Sequence, residues 1–338
     1  MPSSSKQLSL FDDTPTPPAA DREPRRPAQT GEHVTPPIEQ TRASQVNLNP
    51  HSPLSVAIKA YHDYMEKSDL SPHTVKSFLY DLNILVEFAT PGRPIGQLAQ
   101  RDLENFMDWL INGRGVPCNP KSLSRRLTTL KAFFRWLNDS GAIDEDPAAP
   151  IAHRPVSTPL PDVLSEQQVE QILAVTDQLR HDPDKPDPRP HLLVTLLLAT
   201  GIKKSECLSI QLDHLDLSDL HEPALWIRYS SPRHLHKERK LKLDAKWPRV
   251  FEEYRQHYKV EKTLFNCTAR NLEYVLADVG RLAGLPKQLS FEMLRWTCAV
   301  RDRQNGMKEE TLRHKLGLST ITWHDTWPKI EKLAAPPI

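Results

Sequence analysis

Leu197-Leu198-Ala199-Thr200-Gly201-Ile202-Lys203-Lys204-Ser205-Glu206 is the stretch around which the rest of the chain arranges itself. Its first residues close a continuous apolar run, Leu192 to Ala199, of the kind that forms a helix buried on every side. Thr200-Gly201 ends that helix, because glycine takes the left-handed turn that stops a helix at little cost. A second helix starts near Lys204, with Ser205 and Glu206 supporting its first turn.

Downstream, Leu225-Trp226-Ile227-Arg228-Tyr229 and Lys240-Leu241-Lys242-Leu243 read as two strands of a hairpin. Between Arg228 and Arg249 stand eight Lys or Arg residues against two acids, so the ribbon is basic. From Val250 to Leu333 the pattern is again helical. Upstream, a polar, Pro-rich loop (His181 to Pro190) leads back to Leu164-Ser165-Glu166, where Ser165 can cap a helix. A Pro-rich stretch, Pro147 to Pro161, reads as a linker. Before it lie four helices. Leu54, Ile58, Tyr61 and Met65 mark the first, Ser71-Pro72 opens the second, and the third runs from Asp102 to Ile111. The fourth, Ser122 to Asn138, sets Leu123, Leu127, Leu130, Phe134 and Leu137 against Arg125, Arg126, Lys131 and Arg135. Lys121 precedes it, and no acid falls between Lys121 and Leu137. Met1 to about Pro53 is rich in Pro, Ser, Thr and charge and poor in apolar periodicity, the composition of a disordered tail.

The 338 residues accommodate roughly two domains. A net charge of only +1 means that any nucleic-acid face must come from local clustering of Lys and Arg. Cys118, Cys207, Cys267 and Cys298 are far apart and form no C-x-x-C pair, which argues against a zinc site or a disulfide framework. No metal or cofactor is expected. Apolar runs fall short of the ~18 residues that span a bilayer and no signal core opens the chain, so a soluble cytoplasmic protein without membrane contact is expected.

The opening decapeptide resembles the tyrosine-recombinase signature apolar-Ala-Thr-Gly-Leu-Arg-x-Ser-Glu-Leu. Leu70-Ser71-Pro72-His73-Thr74 with Tyr80-Asp81-Leu82 is similar to the start of that family's core-binding domain. Leu123-Ser124-Arg125-Arg126-Leu127, Phe133-Phe134-Arg135-Trp136-Leu137 and Asp146-Pro147 are similar to its last helix and exit. His236-Lys237-Glu238-Arg239 resembles the family's hairpin, and Leu294-Arg295-Trp296-Thr297 and Lys315-Leu316-Gly317-Leu318-Ser319 its two C-terminal motifs. The chain is thus identified as a member of the tyrosine recombinase (phage integrase) family, of the Xer-like kind. The resemblance implies a mainly α fold with a small β-ribbon. Its expected parts are a disordered tail (1–53), a helical, SAM-like core-binding domain (54–150), a linker (151–161) and a catalytic-type domain (162–338).

In such a family a tyrosine attacks a DNA phosphate, while two arginines, a lysine and two histidine-type groups neutralise charge and move protons. Carried over position by position, only Arg295 is retained. Lys203 stands for the first arginine and lacks its bidentate fork. His234 stands for the hairpin lysine, Glu292 for the first histidine and Leu318 for the second. Nine residues on, Trp327 stands where the tyrosine belongs, and the last tyrosine of the chain is Tyr274. Tryptophan has no nucleophilic oxygen, so these positions are expected to be non-catalytic and Trp327 to be a core aromatic holding the last helix.

The resemblance further implies duplex DNA as partner, gripped by two basic inner faces drawn from Lys121, Arg125, Arg126, Lys131, Arg135, Lys237 and Arg239. It also implies assembly on DNA with itself or with an active recombinase. The favoured reading is a DNA-binding relative in an accessory or regulatory role. An active recombinase with an atypical site and a protein-interaction module with a vestigial DNA face stand as alternatives. In the tail, Gln7-Leu8-Ser9-Leu10-Phe11 resembles the short peptide by which bacterial replication and repair proteins grip the sliding clamp. Gln7 would orient it, and Leu8, Leu10 and Phe11 would fill a hydrophobic pocket.

Overall fold

The computed structural model describes residues 47–68, 70–153 and 159–335. They divide into two compact units on either side of Pro159. The N-terminal unit holds α1 (Leu54–Lys67), α2 (Pro72–Ala89), α3 (Gln100–Asn112) and α4 (Pro120–Asp139). Ser71 caps α2 by accepting the Thr74 N–H at 3.0 Å, with Pro72 in the first turn, where its missing N–H is harmless. The periodic residues of α1, Leu54, Ile58, Tyr61 and Met65, are all buried. They meet Leu82, Leu85, Phe106, Leu130, Phe133, Phe134 and Leu137 in one core. There the Tyr61 ring lies 5.3 Å from Phe133 and 5.0 Å from Trp136.

The tail boundary requires correction. Within 47–53, assigned to the tail by composition, the backbone is tied to the unit: Gly96 N–H donates to the Pro50 carbonyl at 2.9 Å and Ile95 N–H to that of Ser52 at 3.0 Å. These bonds arise across the sequence and leave no local periodicity to read. The expected tail before residue 47, including Gln7 to Phe11, lies outside the described residues.

The C-terminal unit is built around α6 (Arg189–Thr200), in which Leu192, Leu193, Val194, Leu196 and Leu197 are fully buried. α5 (Glu166–Arg180), capped by Ser165, α8 (Trp247–Tyr258), α9 (Ala269–Leu282) and α10 (Phe291–Gln304) surround it. The short α7 (Lys204–Ser209) follows the Gly201 stop. The ribbon is a three-stranded antiparallel sheet, with β1 (Leu215–Asp216) pairing β2 (Ala224–Ile227), which pairs β3 (Arg239–Lys242). Leu225 sits opposite both Leu215 and Leu241. The expected hairpin therefore gains an edge strand too short to betray itself by alternation. Its connection carries a 3-10 turn from Pro232 to Lys237 rather than a tight two-residue loop. A second cluster packs α10, α11 (Glu309–Leu316) and α12 (Thr320–Ala334) through Trp296, Leu312, Leu316, Leu318, Trp323 and Ile330. Among the described residues no helix is long and apolar enough to cross a membrane.

Candidate functional site

The α6–α7 corner, the ribbon, α10 and the end of α11 converge in the C-terminal unit, and two buried arginines tie them together. Glu206, 2% exposed, accepts the Lys203 backbone N–H at 2.8 Å, which closes the first turn of α7. Its carboxylate also takes both terminal nitrogens of Arg239, at 2.9 and 3.0 Å, in a pair whose side chains are each 1% exposed. The Tyr229 hydroxyl donates to the same carboxylate. Burial alone would push the Glu206 carboxyl up; the charge and hydrogen bonds of Arg239, with Arg295 and Tyr229, bring it down to about 2. Burial and the Glu206 charge push the Tyr229 phenol upward, so it stays protonated as a donor and is a poor nucleophile.

Arg239 was expected at a DNA face and is instead internal. Besides gripping Glu206, its Nε donates to the Lys315 carbonyl at 2.7 Å. Its guanidinium passes so close to Gly317 that a Cβ there would lie 2.6 Å from Nη1, and Gly317 also holds φ at +60°. Alternation in β3 accounts for this, since Arg239 and Leu241 share the inward face while Lys240 and Lys242 point out.

Arg295, expected from its motif to be the one catalytic-type residue retained, is 2% exposed. Its terminal nitrogens donate to the carbonyl of Gly201 and, at 2.7 Å, to that of Leu316. It therefore closes the orphan carbonyls at the ends of α6 and α11. Of the other positions the motifs pointed to, Lys203 is 7% exposed and Leu318 is buried at 4% in the apolar cluster. Glu292 is half-buried in the first turn of α10. His234 is half-buried in the ribbon connection, its ring 5.5 Å from that of Tyr229. Trp327 stacks on Trp323 at 5.3 Å with the Arg303 guanidinium 5.0 Å from its ring centroid, and packs half-buried against the α10–α12 cluster. Trp323 in turn donates its indole N–H to Glu309 at 2.9 Å.

The basic face of α4 also requires correction. Arg126 is 9% exposed, donates to the Cys118 sulfur at 2.7 Å and lies 3.5 Å from Asp81. Arg125 holds both oxygens of Asp81, one of them at 2.9 Å. Asp81 is itself buried on α2 and also accepts from Thr129 at 3.1 Å. Lys131 Nζ donates to the Ala149 carbonyl at 2.9 Å. Lys121 is half-buried, and Arg135 is exposed. The helix thus keeps its basic sequence but turns much of its charge to internal bonds. Asp81 is the residue the pattern underweighted; its signal is a lone acid between Leu79 and Leu82 on an otherwise apolar stripe. Lys237, the remaining candidate, lines a cavity at the α11–α12 corner.

Residues 58–141 match the model of the phage integrase N-terminal SAM-like domain, and residues 162–324 match that of the phage integrase family. The chain is 24% identical over 286 residues to the tyrosine recombinase XerD of Listeria innocua serovar 6a, spanning 80% of this chain and 93% of that one. With the tyrosine recombinase XerC of Mycobacterium leprae it shares 32% identity over 147 residues, 43% of this chain and 48% of the other. The fold superposes on that of the Tn1549 transposon integrase in complex with a circular intermediate DNA, with a TM-score of 0.63 at 16% identity, covering 85% and 96% of the two chains. For the XerH recombinase bound to its difH substrate, the TM-score is 0.61 at 16% identity, covering 82% and 80%. The architecture is that of a phage-integrase-type protein: a SAM-like helical unit followed by an integrase-type unit. The chain belongs to the tyrosine recombinase (phage integrase) family, whose business is DNA recombination and integration.

Proposed function

We propose that this member of the family binds duplex DNA at recombination sites but does not cut it, and serves there as an accessory or regulatory factor. It would act in the cytoplasm on the nucleoid, beside an active recombinase or in assemblies of its own. The observation that carries this reading is Trp327 at the nucleophile position, in a chain whose last tyrosine is Tyr274. The buried Leu318 and the inward-turned Arg295 support it, since neither side chain presents a donor at the surface. Each missing donor to a developing oxyanion typically lowers a rate by about 10²–10³-fold. The test is incubation with nicked suicide duplexes, followed by denaturing electrophoresis. No covalent adduct is expected from the natural sequence or from Trp327→Tyr. A denaturant-resistant band abolished by substituting one particular tyrosine would restore the reading of an active recombinase with an atypical site.

Gln7-Leu8-Ser9-Leu10-Phe11 supports a second partner, a bacterial sliding clamp. Two leucines and a phenyl ring suit a hydrophobic pocket, and residues 12–46 separate the motif from the first described residue of the N-terminal unit. An affinity of about micromolar is expected from so short a segment. An anisotropy titration of the first ~20 residues against a clamp, beside a Leu10→Ala/Phe11→Ala peptide, decides it. Equal signal from both peptides, or none, removes the clamp from the proposal.

A further inference from the structure

In the N-terminal unit, the last turns of α1 and one stripe of α2 line an open groove of about 650 Å³. Lys76, Leu79, Tyr80 and Asn83 recur at helical spacing, so a single face of α2 supplies one wall. Much of the lining is apolar. Leu70 and Leu79 pack half-buried against the core of the unit, and Val75 is 8% exposed. Tyr80 keeps 57% of its surface exposed, a large ring that the unit itself does not cover. The two walls carry opposite charge, Glu66 on α1 and Lys76 on α2, both exposed. Glu66 has one oxygen 3.3 Å from His62 Nε2, and its side chain remains 62% exposed.

We propose that the segment Gln7-Leu8-Ser9-Leu10-Phe11 of the same chain occupies this groove and is thereby withheld from other partners. Leu8 and Leu10 are the only leucines before Asn47, and Phe11 is the only aromatic residue there, so the apolar groove has one matching stretch upstream. Lys6 precedes the segment and Asp12-Asp13 follow it, a charge order that complements Glu66 on one wall and Lys76 on the other. Residues 12–46 join the segment to Asn47, and a chain of that length spans at most about 120 Å. The chain enters the described structure on the unit that holds the groove, since Pro50 and Ser52 accept the Gly96 and Ile95 N–H groups. Docking within one chain draws on an effective concentration on the order of 1 mM, so a weak contact suffices. Leu8, Leu10 and Phe11 cannot fill two pockets at once, and occupancy here excludes capture by a second protein. Neither DNA nor a clamp is needed for this docking, and neither is present in its test.

A fluorescein-labelled peptide of the first ~20 residues is titrated by anisotropy with three full-length proteins. These are the natural sequence, a tail variant (Leu8→Ser/Leu10→Ser/Phe11→Ser), and the tail variant carrying Lys76→Glu/Tyr80→Ser in addition. The tail variant, its groove vacated, is expected to bind the peptide with a Kd on the order of 100 µM. The natural protein is expected to bind it about tenfold more weakly, because a resident segment at ~1 mM fills about nine grooves in ten. The groove substitutions fall on exposed side chains and are expected to leave the urea midpoint unchanged while abolishing peptide binding. Should the pair shift that midpoint, Tyr80→Ser alone takes its place. A peptide with Lys6→Glu, Asp12→Lys and Asp13→Lys should lose about fivefold in affinity, and regain it against the tail variant carrying Glu66→Lys/Lys76→Glu. Equal affinity for the natural and tail-variant proteins overturns occupancy by the chain's own segment. No binding to the tail variant, or binding that survives the groove substitutions, overturns the groove. A natural protein that sediments as a dimer beside a monomeric tail variant makes a second copy the donor of the segment, and overturns docking within one chain.

Discussion

Asp81 in the N-terminal unit and Glu206 in the C-terminal unit are carboxylates exposed by 1% and 2%, each beside two arginines, yet burial prevails at one and the arginines at the other. At Glu206 the pairing arginine side chain is 1% exposed and the carboxylate also receives a backbone N–H and a phenol. At Asp81 the pairing Arg125 side chain is 26% exposed and the further neutral donor is one hydroxyl. Desolvation accordingly raises the Asp81 carboxyl above its usual value despite Arg125, Thr129 and Arg126. A buried carboxylate is stabilising when its partner shares its burial and its lone pairs are filled; a half-solvated partner leaves it in deficit.

The strongest way to break this contrast is Glu206→Gln. It leaves Arg239 charged in a dry site, and a loss of about 3–5 kcal/mol is expected in urea unfolding of the C-terminal unit. Pairing Glu206→Leu with Arg239→Met should recover more than half of that loss. A loss below ~1 kcal/mol for the single variant would equate the two carboxylates. The next effect is pH-dependent and opposite in sign in the two units. Glu206, lowered from 4.5 to about 2, contributes stability that is complete above pH 4.5 and lost as pH falls towards 2. Asp81, raised above 3.8, favours the folded state when protonated, so its contribution is present below 3.8 and declines as pH rises through its folded value. Asp81→Asn should change stability by only about 1 kcal/mol at neutral pH and flatten this response. Amide hydrogen exchange, which resolves the units, measures both. The smallest effect is on DNA. Arg135→Ala should flatten the salt slope by about 0.9, whereas Arg125→Ala should move it by less than half as much. Equal slopes for the two variants would mean that Asp81 does not hold Arg125 back from the phosphates.

The helices and their order were legible because burial and capping are local. Apolar spacing in α1, the uninterrupted run of α6, and Ser71 and Ser165 ahead of their helices all state their roles within a few residues. The β1 strand was not legible, since its two residues cannot alternate. The candidate site was half legible. Motif positions pointed to Arg295, Lys203, Leu318 and Trp327, but the orientation of such side chains depends on partners far along the chain. Arg295 reaches the Gly201 carbonyl 94 residues away, and Arg125 and Asp81 are 44 residues apart. A run of basic residues with no acid in it reads as a solvated face, and α4 contradicts this because the compensating acid sits on α2.

Trp327 also bears on how freely its position can be exchanged. Its indole has a stacked neighbour in Trp323 and a guanidinium, that of Arg303, over its face, an arrangement typically worth about 0.5–1 kcal/mol for the cation alone. Replacing the indole with a smaller phenol would surrender some of that packing at once. The packing around one side chain thus makes position 327 resist exchange for a smaller ring, whatever the chemistry at the site.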